Sequence, residues 1–308
     1  MRAAQWCALV TLAAASAEAG HRHRSKDKAE RKAARDVDSA CNEGAFTACV
    51  ALGASYEHGT GVTQDVPHAA ALYDKACKGK SAEGCSALAA LNASGKLGAV
   101  DKEAAVRLLT QGCETGSNKA CVELGRAQLE GQGTKRDVKK AQDNFQKACE
   151  AGDAPACYFW GTLYEKGIGV TKDEKRAAEL YQKAADAEEP LGASALGELY
   201  LDGRGVAKDE RKAFGLLSHG CEAGQPRTCR IVGDLLSNGR GTEKDPGRAA
   251  GVYDMACKTG DAVGCYALGQ AYLSGRGRPQ DEARGKELIA RACKRGFKKA
   301  CEVDPSAP

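Results

Sequence analysis

The stretch CEAGDAPACYFWGTLYEKGIGVTKDEKRAAELYQKA, residues 149–184, carries two runs of apolar residues at helical spacing, parted by glycines. From Ala156 to Lys166 the apolar positions recur every three or four residues, which puts Trp160, Leu163 and Tyr164 on one side of a helix. Gly167 and Gly169 interrupt the run, and the first suits a helix C-terminus. Asp173 is a good N-cap for a second helix, along which Ala177, Leu180, Tyr181 and Ala184 repeat at three- and four-residue steps. The segment therefore predicts a pair of antiparallel helices.

The same unit recurs along the chain. With the first cysteine as position 1, units begin at 41, 77, 113, 149, 185, 221, 257 and 293, a period of 36 without insertion. Position 9 is Cys49, Cys85, Cys121, Cys157, Ala193, Cys229, Cys265 and Cys301. Position 19 is glycine from Gly59 to Gly275, and position 25 is aspartate from Asp65 to Asp281, in step with the cysteines. Position 13, inside the first helix, is small: Gly53, Ala89, Gly125, Gly161, Gly197, Gly233 and Gly269. Glycine there weakens a helix by roughly 1 kcal/mol, so its recurrence points to close approach of the partner helix. One helix pair cannot bury its apolar stripe alone, whereas stacked pairs can. The expected fold is all-α: an α/α solenoid, a right-handed superhelix of 36-residue helix-turn-helix repeats with a concave face. The ends fit that scheme. Residues 26–40 keep the second-helix register but are highly charged, as suits a polar cap, and FKKACEV reads as a last short helix ending before Pro305.

The motif L-G-x-x-Y, then G-x-G-V, then D-x-x-x-A-x-x-x-Y-x-x-A resembles the Sel-one-like repeat, a relative of the tetratricopeptide repeat. Gly161, Tyr164, Gly167, Gly169, Val170, Asp173, Ala177, Tyr181 and Ala184 carry it in one unit, and Leu196, Gly197, Tyr200, Gly203, Gly205, Val206 and Asp209 in the next. The second unit departs most: SGKLGAV moves its second glycine to Gly98, and Asn92 replaces tyrosine. With a cysteine pair in nearly every unit, the chain is similar to the Helicobacter cysteine-rich proteins and their secreted relatives.

The N-terminus suggests where such cysteines operate. An early arginine, an apolar run from Trp6 to Ala15 and small residues allowing cleavage after Ala17 or Ala19 read as a secretory signal peptide. The run is too short for a membrane span of about 20 residues. Cys7 lies inside it and is expected to leave with it. The fifteen cysteines then become an even fourteen, which in a secreted or periplasmic chain suggests disulfides. The expected organisation is a signal peptide over 1–19, a charged segment and capping helix over 20–40, seven repeats over 41–292, and a capping helix and tail over 293–308.

On one continuous helix Cys149 and Cys157 would lie about 12 Å apart, whereas a disulfide needs Cα atoms within roughly 7 Å. Gly152 and Pro155 supply the turn that brings them together. The first cysteine ends one unit and the second begins the next, so each bridge staples neighbours. The pairs read this way are Cys41 with Cys49, Cys77 with Cys85, Cys113 with Cys121, Cys149 with Cys157, Cys221 with Cys229, Cys257 with Cys265 and Cys293 with Cys301. Zinc is the rival, but its ligands usually sit two to four residues apart, and histidines are scarce. Redox catalysis would call for C-x-x-C, which is missing. Between units four and five the pair is Ala185 and Ala193, where Glu188, Glu189 and Pro190 replace the usual glycine turn.

Little else carries chemistry. The five histidines are His21, His23, His58, His68 and His219, of which His58 and His68 share one turn region. The G-x-G segments follow no strand and recur as interhelical turns, unlike phosphate loops. The resemblance to the Helicobacter proteins implies penicillin binding or β-lactamase activity. Ser25-Lys26-Asp27-Lys28 fits S-x-x-K and Lys258-Thr259-Gly260 fits K-T-G, but S-D-N is missing and both matches have plainer explanations. Trp160 occupies a slot held elsewhere by leucine and is assigned to the core. Phe159 replaces a residue that is usually alanine, and with Tyr158 it is the candidate exposed ligand anchor. The run at 135–140, KRDVKK, reads as a solvated helix start, with an acidic-partner patch as the alternative. A formal net charge of +4 over 308 residues gives no reason to expect nucleic acid. The sequence thus points to a monomeric, secreted or periplasmic scaffold. Its concave face binds a protein, peptide or cell-wall ligand, with no metal, cofactor or identified catalytic residue. The alternative is a hydrolase acting on β-lactams or peptidoglycan-like amides.

Overall fold

A computed structural model describes residues 36–303. The expectations placed on the signal peptide, Cys7, His21, His23, the motif at 25–28 and Pro305 lie outside the described residues. Among the described residues all regular structure is helical. After α1 (36–42), the first helices of the repeats are α2 (Phe46–His58), α4 (Ala82–Ser94), α6 (Asn118–Glu130), α8 (Ala154–Lys166), α10 (Pro190–Asp202), α12 (Pro226–Asn238) and α14 (Ala262–Ser274). They alternate with second helices α3 (Val66–Lys78), α5 (Lys102–Glu114), α7 (Val138–Glu150), α9 (Glu174–Asp186), α11 (Glu210–Glu222), α13 (Pro246–Lys258) and α15 (Glu282–Lys294), and α16 (Lys298–Val303) closes the series.

The helix boundaries follow from a few recurring residues. Asp65, Asp101, Asp137, Asp173, Asp209, Asp245 and Asp281 each accept a hydrogen bond from a backbone N–H in the first turn of a second helix. Such a cap contributes about 1 kcal/mol. Each first helix from α2 to α14 ends on a glycine in the left-handed region, Gly59 through Gly275. The second glycine of the turn has a different task. A Cβ at Gly133, Gly205, Gly241 or Gly277 would strike the backbone carbonyl of the residue that opens the preceding second helix, respectively Lys102, Glu174, Glu210 and Pro246. G-x-G is thus a packing device between repeats.

The chain divides into two compact units, Met1–Ala148 and Cys149–Pro308. In the first, α2 to α6 pack in chain order, and the first helices α2 and α4, and α4 and α6, also touch. In the second, α8 to α16 pack in chain order, and α8 meets α10 while α12 meets α14. Within a repeat the two helices approach over the small residue at position 13. Gly53, Gly125, Gly161 and Gly233 receive the rings of Tyr73, Phe145, Tyr181 and Tyr253, and a Cβ at Gly161 would lie 2.8 Å from Tyr181 Cε1. Those rings are fully or almost fully buried and form the centre of each pair.

Candidate functional site

The joints between repeats are closed by disulfides. Seven connect cysteines eight residues apart, Cys41–Cys49 to Cys293–Cys301, with Cα atoms 4.4 to 4.8 Å apart. Six of the seven have both cysteines buried; only Cys293 and Cys301 are partly exposed. No group of three or more metal-ligating side chains occurs among the described residues. Each sulfur pair spans the turn from a second helix to the next first helix, so its place is structural.

The joint without a bridge keeps the same backbone. Glu188 adopts φ +60°, the left-handed conformation that Gly152 and Gly224 adopt in neighbouring joints. Its N–H bonds to Ala185 O, and the Glu189 N–H bonds to Ala184 O, as Gly260 and Asp261 do with Cys257 and Ala256. Glu188 thus replaces the glycine of this turn, as the sequence indicates, and keeps its left-handed backbone at a conformational cost. Glu189 caps α10 by accepting from the Leu191 N–H, and Pro190 takes the favoured first helical position. One joint further on, Ser194 donates to Pro190 O and lies 2.9 Å from Gln225 Oε1, while the buried Thr228 hydroxyl is 3.2 Å from both. This polar network sits beside the Cys221–Cys229 staple.

The most elaborate surface of the second unit lies on the first helices around Tyr158. Its ring meets Phe159 edge-on at 5.2 Å and Tyr181 at 5.8 Å. Tyr158 and Phe159 are both half-buried, so Phe159 is less exposed than its replacement of alanine suggested. The Tyr181 hydroxyl donates to Glu165 Oε2 at 2.7 Å. Arg204, from the turn after α10, reaches back to Glu165 at 2.8 Å and also pairs with Glu174 and Asp202. Arg227 on α12 holds Glu198 on α10 at 2.7 Å. Burial pushes the Glu198 carboxyl above its ordinary range, with Glu165 and Asp202 adding to the effect and Arg227 opposing it. Burial and the Glu165 carboxylate push the Tyr181 hydroxyl far up, and burial also raises Tyr158. These phenols stay protonated and act as donors and apolar surface. Sequence reading found Tyr158 and Phe159 but missed Glu165, Glu198, Arg204 and Arg227, whose pairing depends on how repeats stack.

The other candidates have local roles. Trp160 is 4% exposed, inside the core, with the Arg176 guanidinium 5.4 Å from its ring centre. His68 packs edge-on against Tyr56 at 4.4 Å. In the run at 135–140, Asp137 caps α7, Arg136 donates to Leu129 O and Lys139 pairs with Asp143, leaving a solvated helix start. The K-T-G match is the end of α13: Lys258 pairs with Asp254, and the Thr259 hydroxyl donates to Met255 O and Ala256 O. Nothing catalytic assembles around it among the described residues. No helix among those residues is long and apolar enough to cross a membrane.

A family model described as the Sel1 repeat matches seven consecutive segments: 47–81, 82–117, 118–153, 154–188, 190–225, 226–261 and 262–297. The chain belongs to the Sel1 repeat family. Among solved Sel1 repeat structures it is similar to a protective antigen of uropathogenic Escherichia coli with an SLR fold. The two are 25% identical with a TM-score of 0.70, over 89% of this chain and 62% of the antigen. The chain thus spans less than two thirds of that relative's length. A Sel1 repeat protein from Oxalobacter formigenes shares the fold at 24% identity and a TM-score of 0.63, over 72% of this chain and 92% of that one. Helicobacter pylori cysteine-rich protein B matches at 33% identity and a TM-score of 0.35, over 44% of this chain and 98% of its own. No curated protein sequence matches the chain significantly. As a Sel1 repeat protein the chain is a helical scaffold of the kind that mediates contacts between proteins.

Proposed function

We propose that this Sel1 repeat protein is an extracytoplasmic scaffold that docks a protein or peptide on the first-helix face of its second unit, around Tyr158 and Phe159. The observation that carries the reading is the aromatic pair itself. Two half-buried rings project from α8 where most first helices present small or aliphatic side chains, and the Arg204–Glu165 and Arg227–Glu198 ion pairs lie on α8, α10, α12 and the turn after α10. Aromatic side chains held rigidly by packing lose little entropy on binding and dominate many interfaces. The fourteen paired cysteines support an oxidising compartment, because a reducing cytosol would open bridges of this kind.

Phe159→Ala removes one ring, and Tyr158→Phe keeps the packing while removing the hydroxyl. Partners crosslinked to the purified oxidised protein in envelope extract should be lost with Phe159→Ala, at unchanged melting temperature, and retained with a surface control such as Lys172→Ala. Undiminished crosslinking by Phe159→Ala would place the docking face elsewhere.

A further inference from the structure

Between the two glycines of each turn stands a residue that, where basic, reaches back to the preceding repeat. Lys96 Nζ lies 2.8 Å from Glu57 Oε1, Arg204 Nη1 lies 2.8 Å from Glu165 Oε1 and 3.6 Å from Glu174 Oε1, and Arg240 Nη2 lies 2.7 Å from Glu210 Oε1. Those carboxylates come from two registers: the end of the preceding first helix, Glu57 and Glu165, and the opening of the preceding second helix, Glu174 and Glu210. Arg276 stands at the same place in the next turn. There the two partner registers hold Ser237 and Pro246.

Among the described residues Arg276 therefore has no counter-ion. Among the described residues it makes no ion pair or side-chain hydrogen bond, and neither does Arg278 in the same turn, whose Nε is buried without a partner. The carboxylate of the neighbouring Asp234 is already engaged, accepting from the Tyr253 hydroxyl at 2.7 Å and from Arg230 at 3.1 Å. Arg276 borders an open groove of about 360 Å³ between α12, α13 and α14. Four alanines of α13 and α14 line it, with Ser237, Tyr253, Gln270 and Ser274 at its polar points. The groove combines alanine methyl groups along its lining, a guanidinium with no counter-ion among the described residues and side-chain groups able to meet a peptide backbone. Planar guanidinium favours carboxylate in a two-pronged geometry.

We propose that this groove binds an acidic segment of a partner protein, whose Asp or Glu carboxylate takes the place that Glu165 and Glu210 fill at other turns. The proposal rests on the scaffold reading above but uses a different surface from the aromatic pair. The substitution Ser237→Glu tests it without damaging the fold, because it installs the carboxylate that Glu165 already provides for Arg204. The full-length oxidised protein is used to select from a displayed library of random ten-residue peptides. The wild type should enrich peptides with Asp or Glu at one fixed position. A synthetic peptide so selected should lose at least tenfold in affinity when that residue becomes Asn or Gln. It should lose as much on Ser237→Glu or Arg276→Ala, and retain affinity on Ser237→Gln.

Three results would overturn the proposal: enriched peptides without an acidic preference, equal binding by Ser237→Glu, or displacement of the peptide by millimolar inorganic phosphate as readily as by free peptide. Loss of crosslinked partner with Phe159→Ala alongside unaltered peptide binding by Ser237→Glu would reject this site and leave the docking function standing. The reverse pattern would reject the aromatic face and support the groove.

Discussion

Restoring the missing staple is the sharpest probe of how these repeats are held together. The perturbation is the double substitution Ala185→Cys and Ala193→Cys. The backbone at that joint repeats the hydrogen bonds of its bridged neighbours, with Glu188 in the left-handed conformation that Lys80 adopts at one bridged joint and glycine at the others. The two positions are therefore set for the Cα separation of 4.4 to 4.8 Å that the seven existing bridges show. Ala193 is buried and Ala185 partly buried, and each Cβ would carry a new sulfur directed at the other across the turn, as at the seven existing bridges. Closing a loop of this length removes denatured-state entropy equivalent to about 2.5 kcal/mol. In a cooperative unit of roughly 150 residues, each kcal/mol shifts the melting temperature by about 2–4 °C, so the oxidised variant should melt about 5–10 °C higher than the wild type. Differential scanning calorimetry at matched pH provides the measurement, with peptide mapping to confirm the new bridge. Amide exchange at 185–193 should start faster than at the stapled turns and fall to their level in the variant. A variant that oxidises fully yet melts no higher than the wild type would refute the account of the bridges as staples. Equal initial protection would refute the idea that this joint is the loosest.

Four further outcomes follow from particular contacts. Glu188→Gly should stabilise by about 0.5–1 kcal/mol in chemical denaturation, because the left-handed conformation costs an L-residue about 1–2 kcal/mol and glycine returns part of that as chain entropy. Gly161→Ala should destabilise by about 1–2 kcal/mol, since its Cβ would press on Tyr181 at 2.8 Å and overpacking outweighs the gain in helix propensity. Glu198 is held above its ordinary range by burial, so the folded state retains a proton that the unfolded chain has lost. Its ionisation therefore lowers stability as pH rises from the ordinary glutamate range through the raised value. Glu198→Gln should raise the melting temperature at pH 7 by more than at pH 4, and an equal shift at both would contradict that sign. Glu57 is the opposite case: burial pushes it up, but hydrogen bonds from Lys96 and Tyr73 prevail and hold it below the ordinary range. It contributes stability above the ordinary glutamate range that is lost as pH falls through the lowered value, and Glu57→Gln should flatten that part of the acid limb.

The repeat register was readable because one residue type decides each helix boundary. Seven aspartates cap second helices and seven glycines end first helices, and both roles are local chemistry that needs no tertiary context. The close approach at position 13 was also legible, since glycine inside a helix makes little sense without a neighbour such as Tyr181. The N-caps of the first helices were overlooked although Ser81, Ser117, Asp153 and Asp261 stand in register and are ordinary capping residues. At Glu188 the sequence shows that glycine is replaced but not that the left-handed backbone is kept, which the helices on both sides impose. Phe159 misled in degree: a ring replacing alanine finds Tyr158 to pack against and is half covered. The ion pairs around Glu165 and the lone Arg276 were invisible in any single unit. The pairs of Arg204 with Glu165, Arg240 with Glu210 and Lys96 with Glu57 join residues 30 to 39 positions apart, and both they and the gap at Arg276 emerge only when one turn is laid against the preceding repeat.

The central claim is that consecutive Sel1 repeats are locked into a scaffold by bridges across every joint but one. Non-reducing peptide mapping of the protein from its native compartment tests it directly. The account predicts seven bridges between Cys41 and Cys301, each joining cysteines eight residues apart, with no free thiol in that span. Free thiols there, or bridges between cysteines of different joints, would contradict it.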